Sequence, residues 1–153
     1  MNPMANMKVK IRVDSGQTLV EFAMAAMVFL LLVFSVIDFS YFFFVKLTLQ
    51  NAVRQGGRYA ITGQALTGKN RYASILQTVE DRSLGLATSS NTSICSAVGG
   101  CSSGGGPGDT ITVKVTYQYK FITPLVAAFF TKGAYTFSVS ASFTNEPFPP
   151  SQT

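Results

Sequence analysis

Two carboxylates lie inside a long apolar run, and both need a chemical reason to be there. The run covers residues 19–45, and Glu21 and Asp38 are its only charged residues. An ionised side chain costs about 2.5–3.5 kcal/mol at a bilayer midplane and less near an edge. Glu21 is either a carboxylate that reaches back to the membrane surface or a group with a functional partner. Asp38 is either an interfacial charge that marks the far end of a span or a contact for a partner protein.

Groups that could catalyse a reaction are scarce. The chain has no histidine, so it lacks the commonest general base and the commonest metal ligand. Glu80 and Asp81 are adjacent and would point to different faces of a helix, and the sequence shows no nucleophile–base pair. The Gly/Ser-rich segment 99–108 has no phosphate-binding loop pattern. We therefore expect a protein that is not an enzyme and that binds neither a cofactor nor a metal.

The two cysteines, Cys95 and Cys101, lie six positions apart in a Ser/Gly-rich stretch. Zinc would need about four ligands, and the spacing is not that of a Cys-x-x-Cys redox motif. A small disulfide loop or two free thiols remain. The disulfide is favoured if this part of the chain lies outside the cytoplasm.

The apolar run predicts a helix that crosses a membrane. A helix over residues 19–45 would be about 40 Å long at 1.5 Å per residue, whereas the hydrocarbon core is about 30 Å thick. Its length and its all-round hydrophobicity argue against a core helix of a soluble protein. Its length also exceeds that of a secretory signal, and no Ala-x-Ala type site follows it. A single-pass anchor is the better interpretation.

The charges around the run bear on orientation and on partners. Basic residues precede the run and also follow it, so the positive-inside count is close to a tie. The short basic leader and the cysteine-containing, Ser/Thr-rich region downstream favour a cytoplasmic N-terminus. The aromatic block at residues 41–44 would then lie at the outer interface. The net charge is +5, but the basic residues do not cluster, so we expect no nucleic-acid partner.

Periodicity predicts the elements that follow. The first helix should continue to about Ile61, with a possible kink at Gly56-Gly57. A second helix is predicted over residues 70–84, with Asn70 as N-cap and Gly85 at C′. Strict alternation predicts strands over residues 111–121 and 135–143, a third strand is weaker near 93–98, and Pro124 can open a short helix that runs through Phe130.

These elements predict an α+β fold: a long N-terminal transmembrane helix, one short helix and a small antiparallel sheet. We divide the chain into a basic leader at 1–16, a transmembrane and juxtamembrane helix at 17–62, an extracytoplasmic α+β domain at 63–146 and a flexible tail at 147–153.

The segment around Glu21 resembles the processing site of type IV pilins and pseudopilins. A basic leader ends at Gly16, Glu21 follows five positions later, and a long apolar helix begins there. The resemblance implies cleavage between Gly16 and Gln17 by a prepilin peptidase on the cytoplasmic side. Glu21 would then pair with the new α-amine of a neighbouring subunit. Gln17 departs from the aromatic residue or Met that usually begins major pilins, and cyclisation of an N-terminal Gln would remove that amine.

A longer stretch looks like the TadE-like family of tight-adherence pilus proteins. The matching motifs, in order, are Val20-Glu21-Phe22-Ala23, the apolar run, Asp38-Phe39, Leu49-Gln50-Asn51-Ala52-Val53-Arg54 and Gly57-Arg58-Tyr59-Ala60. A weaker likeness lies at the C-terminus, in the two long strands, the Pro124-Leu125 turn and the closing Asn145-Glu146.

This resemblance implies a non-enzymatic, pilin-like minor subunit (a pseudopilin) or assembly factor of a tight-adherence pilus, which supports surface adhesion and biofilm formation. Its partners would be the prepilin peptidase, other pilin-like subunits, inner-membrane pilus assembly proteins and the membrane. Its location would be the bacterial inner membrane, single-pass, with the C-terminal domain extracytoplasmic, or the pilus. The alternative is an uncleaved single-pass envelope anchor that acts as a binding or sensor module.

Overall fold

The computed structural model describes residues 15–148 of the chain. Most of the predicted leader and the end of the predicted tail, residues 149–153, lie outside that range. The element order is helix α1 (Ser15–Ile61), helix α2 (Arg71–Arg82), strands β1 (Thr92–Ser96), β2 (Gly100–Cys101) and β3 (Thr110–Lys120), helix α3 (Pro124–Ala127) and strand β4 (Ala134–Thr144). The predicted α+β class is confirmed.

Helix α1 runs unbroken through 47 residues, which is about 70 Å at 1.5 Å per residue. The chain passes Gly56 and Gly57 as one helix, and these glycines instead allow close packing. A Cβ on Gly56 would lie 2.3 Å from Cγ2 of Val79, and one on Gly57 would lie 2.0 Å from the ring of Phe143. The Gly56-Gly57 pair therefore lets α2 and β4 approach the helix backbone.

Helix α2 begins at the predicted N-cap, because the side chain of Asn70 accepts a 2.8 Å hydrogen bond from the backbone N–H of Ala73. Its apolar stripe buries Ile75 and Val79. The helix ends at Arg82, earlier than predicted, with Ser83 as its C-cap. Leu84, with φ 55°, takes the left-handed position that we predicted for Gly85, which follows with φ 79°.

The four strands form one antiparallel sheet in the order β2-β1-β3-β4. The long pair β3–β4 is in register from Thr110 opposite Thr144 to Lys120 opposite Ala134. The weak third strand is β1, whereas β2 was not predicted, because two residues carry no alternation. Helix α3 is shorter than predicted and ends at Ala127.

One face of the sheet packs against the second half of α1 and against α2, and this is where the core lies. The fully buried apolar side chains of the sheet are those of Ile94, Ile111, Val113 and Val115. They meet a stripe on α1 with the three- and four-residue spacing of one helix face: Val45, Leu49, Ala52, Val53 and Ala60.

A polar cluster closes the end of the domain farthest from the N-terminus. The guanidinium of Arg71 donates to the carbonyl oxygens of Ala60, at 2.6 Å, and Gly105, and lies 4.2 Å from the centre of the Phe148 ring. The backbone N–H of Glu146 donates to the carbonyl of Ile61 at 3.1 Å. Phe148, which we assigned to the tail, is buried against Gly63 and Arg71.

Candidate membrane and assembly site

The first half of α1 is almost entirely exposed although it is the most apolar part of the chain. Among residues 15–148, α1 is the one helix long and apolar enough to cross a membrane, and none of its most apolar 18-residue window is buried. Large side chains such as Phe22, Met27 and Phe29 are about two-thirds or more exposed. Water does not accommodate such a surface, whereas lipid does. The helix therefore fits a single-pass membrane protein.

The residues predicted for processing lie at the start of this exposed half. Among the described residues, no atom outside its chain neighbours and the backbone of its own helix lies within 4 Å of the place where a Cβ on Gly16 would stand. The side-chain amide of Gln17 donates to a carboxylate oxygen of Glu21 at 3.2 Å, one turn along the helix. Glu21 is exposed. Its carboxylate is thus accessible to a group from another molecule, and Gly16 leaves space for one.

Asp38 is fully buried and joins α1 to the connection between β3 and β4. Its two carboxylate oxygens each accept a 3.0 Å hydrogen bond, one from the backbone N–H of Ile122 and one from that of Thr123. Both donors lie more than 80 residues away in the chain. A carboxylate that accepts two amide N–H groups is a strong, charge-assisted anchor. Neither of our interpretations of Asp38 included this role within the chain.

Tyr119 adds a third bond at the same place. Its side chain is 2% exposed, and its hydroxyl donates to the backbone carbonyl of Asp38 at 3.1 Å. Burial raises the pKa of Tyr119, with a smaller contribution from the charge of Asp38. The phenol therefore stays protonated and remains a donor. We name the contacts of Asp38 with Tyr119, Ile122 and Thr123 the Asp38 anchor.

An aromatic cluster follows Asp38 on the helix. The ring of Phe42 packs edge-on against the rings of Tyr119, Tyr135 and Phe137, at 5.3, 5.9 and 5.4 Å between centroids. Phe43 and Phe44 stay about half exposed. The block thus binds the sheet on one side and presents rings outward on the other, which suits a membrane interface.

The cysteines lie at the far end of the sheet from Asp38. Cys95 on β1 and Cys101 on β2 are directly opposite each other, and their sulfurs are bonded. This pair closes the hairpin that carries β2, which is the exposed edge strand. Within the described part of the chain, no group of three or more potential ligands could hold a metal ion.

The structure keeps the predicted site residues apart. Glu21 and Asp38 are about 25 Å apart along the helix axis. The disulfide lies at the far end of the sheet from Asp38. Sequence reasoning missed Tyr119 and the two backbone donors of the Asp38 anchor. The available signal was the aromatic end of β3 followed by the Thr123-Pro124 turn, but nothing in it points to residue 38.

Comparison with known protein families finds a match over most of α1. The family model described as "TadE-like protein" matches residues 16–58. No curated protein and no solved structure matches the chain. The match begins at Gly16 and covers both the exposed half of α1 and nearly all of its packed half. The family is a structural or assembly family of the tight-adherence pilus and is not known for enzymatic activity. The resemblance seen in the sequence is therefore confirmed over residues 16–58, and the match suggests a pilus-associated protein.

Proposed function

We propose that this chain is a minor pilin-like subunit, or an assembly factor, of a tight-adherence pilus, and that a prepilin peptidase cuts it after Gly16. The observation that carries the proposal is the accessible pair Gly16 and Glu21, at the start of an exposed apolar half-helix where the TadE-like match begins. A buried or packed Glu21 would leave no group for another subunit.

The chemistry of the pair explains the role. Cleavage would create an α-amine on Gln17 at the membrane surface. Glu21 of a neighbouring subunit could accept that ammonium, which neutralises two charges where the dielectric is low. The hydrogen bond from Gln17 to Glu21 within one chain involves the side-chain amide and leaves the backbone amine for this contact. Such a pairing would set the relative height of two helices in the membrane.

We place the protein in the bacterial inner membrane with its N-terminus in the cytoplasm and its α+β domain outside. Two features support this orientation. The cysteines are bonded, which suits an oxidising compartment, and the aromatic cluster follows the apolar half at the domain side. The partners would be the peptidase and other pilus proteins, and the process served would be surface adhesion and biofilm formation.

The test is the intact mass and N-terminal sequence of the protein purified from native membranes. We expect a chain that starts at Gln17, or at its cyclised form. Gly16→Trp should retain the leader because the bulky side chain fills the open space beside the scissile bond. Met24→Trp places the same side chain on an exposed position inside the span and should be cut normally. A wild-type chain that keeps residues 1–16 would support the uncleaved envelope anchor instead.

A further inference from the structure

The connection between β3 and β4 exposes large apolar side chains that no part of the described chain covers. Ile122 is 65% exposed and Phe129 is 84% exposed. Residues 121–131 contain no charged side chain, and lysines flank them at 120 and 132. An apolar loop of this length is costly in water. The position of this connection in the molecule therefore indicates what covers its apolar side chains.

The connection lies beside the apolar half of α1, on the N-terminal side of Asp38. Val126, Phe129 and Phe130 share a groove with Leu31, Ser35 and Phe39 of the helix. Thr123 shares a second groove with Leu30, Leu31 and Phe34. The backbone N–H groups of Ile122 and Thr123, at the start of the connection, donate to Asp38. The Asp38 anchor therefore fixes the connection against the helix.

Helix geometry gives the depth of the connection, given the membrane anchoring that we propose above. Residues 19–37 are about 28 Å long, which matches a hydrocarbon core of about 30 Å. Leu31 is then about 9 Å below the outer edge, and Asp38 lies just outside it. Interfacial segments bury their apolar side by about 5–10 Å. The connection therefore reaches the depth of the upper acyl chains.

Most backbone N–H groups of the connection have a hydrogen-bond partner within the chain, as an apolar solvent requires. The N–H groups of Ile122 and Thr123 bond Asp38, and that of Phe121 bonds the carbonyl of Gly133. The N–H groups from residue 127 to residue 130 bond carbonyls of the same connection, and Pro124 has none to satisfy. Backbone groups that face lipid must be paired in this way. The exposed Lys120 and Lys132 can reach anionic headgroups at either end.

We propose that residues 121–131 form a second membrane-inserted element, which lies in the outer leaflet beside α1 and is covered by lipid acyl chains. The protein would then contact the bilayer at two points, one that spans it and one that enters only its outer half.

The chain has no tryptophan, so one added Trp reports its own surroundings. We would reconstitute the full chain in phosphatidylcholine–phosphatidylglycerol vesicles that contain lipids brominated at a shallow or a deep acyl position. Phe129→Trp replaces an exposed aromatic ring and should leave the fold unchanged. Val98→Trp is the matched control, because Val98 is 88% exposed and lies at the distal end of the sheet, about 30 Å away along β3. Phe29→Trp reports the span itself.

We expect shallow bromines to quench most of the fluorescence of Phe129→Trp, more strongly than deep bromines do. Val98→Trp should not be quenched, and Phe29→Trp should be quenched best by deep bromines. A quenched Phe29→Trp with an unquenched Phe129→Trp would overturn the proposal, and Ile122→Trp repeats the test at a second site. If Phe29→Trp is also unquenched, membrane anchoring itself fails. A blue-shifted but unquenched Phe129→Trp at all lipid-to-protein ratios would mean that a second copy covers the loop, which also overturns the proposal.

Discussion

The two halves of α1 show that burial in this chain follows packing partners and not hydrophobicity. Residues 15–37 are the more apolar half, and nearly all of their described side chains are exposed. Residues 38–61 contain Lys46, Arg54 and Arg58, yet they bury the stripe that forms the core. The boundary between the halves is Asp38, the one fully buried carboxylate among the described residues.

The difference follows from the surroundings of each half. In the second half, the face that meets the sheet and α2 carries both small and branched residues, and each packs against a neighbour. In the first half, large flexible side chains point in all directions, which suits a fluid solvent that is the same on every side. The two halves of the helix are therefore adapted to different surroundings, so equivalent substitutions should have different effects on stability in the two halves.

The largest expected effect is that of Gly57→Leu in the packed half. The new side chain would overlap the ring of Phe143, so α1 and β4 must separate. Overpacking of this kind costs about 3 kcal/mol. Unfolding of the full chain in detergent micelles, followed by near-ultraviolet circular dichroism of its tyrosines, would measure the loss. Ala25→Leu in the exposed half is the control and should leave the unfolding transition in place; an equal loss in both variants would refute the distinction between the halves.

The two carboxylates of α1 should separate stability from assembly. Asp38→Ala leaves the N–H groups of Ile122 and Thr123 without their acceptor, at a cost of about 2 kcal/mol to the free energy of unfolding. Glu21→Ala should leave that free energy unchanged and instead reduce pilus assembly and surface attachment in complemented cells. The same unfolding assay and a cell-adhesion assay give the two readouts. A destabilised Glu21→Ala, or a fully stable Asp38→Ala, would contradict this division.

Loss of the disulfide should have a smaller effect, confined to the far end of the sheet. Reduction, or the double change Cys95→Ser and Cys101→Ser, frees a loop of six-residue separation. A loop this short contributes about 1–2 kcal/mol in the chain-entropy view. The melting temperature with and without dithiothreitol would show it. The double variant is the control, since it should not respond to dithiothreitol, and the quenching of Phe129→Trp by brominated lipids should be unaffected in both.

The smallest expected effect is a pH dependence from Asp109, which lies just before β3, at the end of the sheet away from Asp38. Hydrogen bonds from Ser96 and from nearby backbone N–H groups hold its pKa below the usual 3.8. The unfolded chain therefore takes up this proton first as the pH falls. Asp109 thus stabilises the fold above about pH 4, and that contribution disappears as the pH drops through the lowered pKa.

The variant Asp109→Asn should remove this contribution at neutral pH and leave little difference from wild type in acid. Melting temperatures measured from about pH 6 to about pH 3 would test this. A gap between variant and wild type that stays constant across the range would show that the carboxylate charge has no part in stability.

The sequence predicted the features that depend on neighbouring residues. Alternation located β3 and β4, and the side chain of Asn70 located the start of α2 within one residue. The apolar run located the exposed half of α1, and the motifs from Val20 to Ala60 pointed to the TadE-like match. These signals are local in the chain, because helix and strand periodicities repeat over short distances.

The features that the sequence did not predict depend on pairs of distant residues. Asp38 meets Ile122 and Thr123 across more than 80 residues, and the Gly56-Gly57 pair is explained only by Val79 and Phe143. From the local sequence alone, Gly56 and Gly57 predict a weak point in the helix. In the fold they instead let α2 and β4 approach the helix backbone. Phe148 follows Pro147, so we assigned it to the tail, but its ring occupies the space that Gly63 leaves.

The unbroken passage of α1 from membrane to domain has a mechanical consequence. No linker separates the two halves, and the Asp38 anchor holds the sheet to the helix at the point where the chain would leave the bilayer. The domain and the first half of α1 therefore move as one rigid unit. A tilt of the helix moves the sheet with it, and a force that pulls on the domain acts along the helix axis. If the protein were extracted from a membrane, α1 would move along its axis as one rigid helix and would not need to unwind.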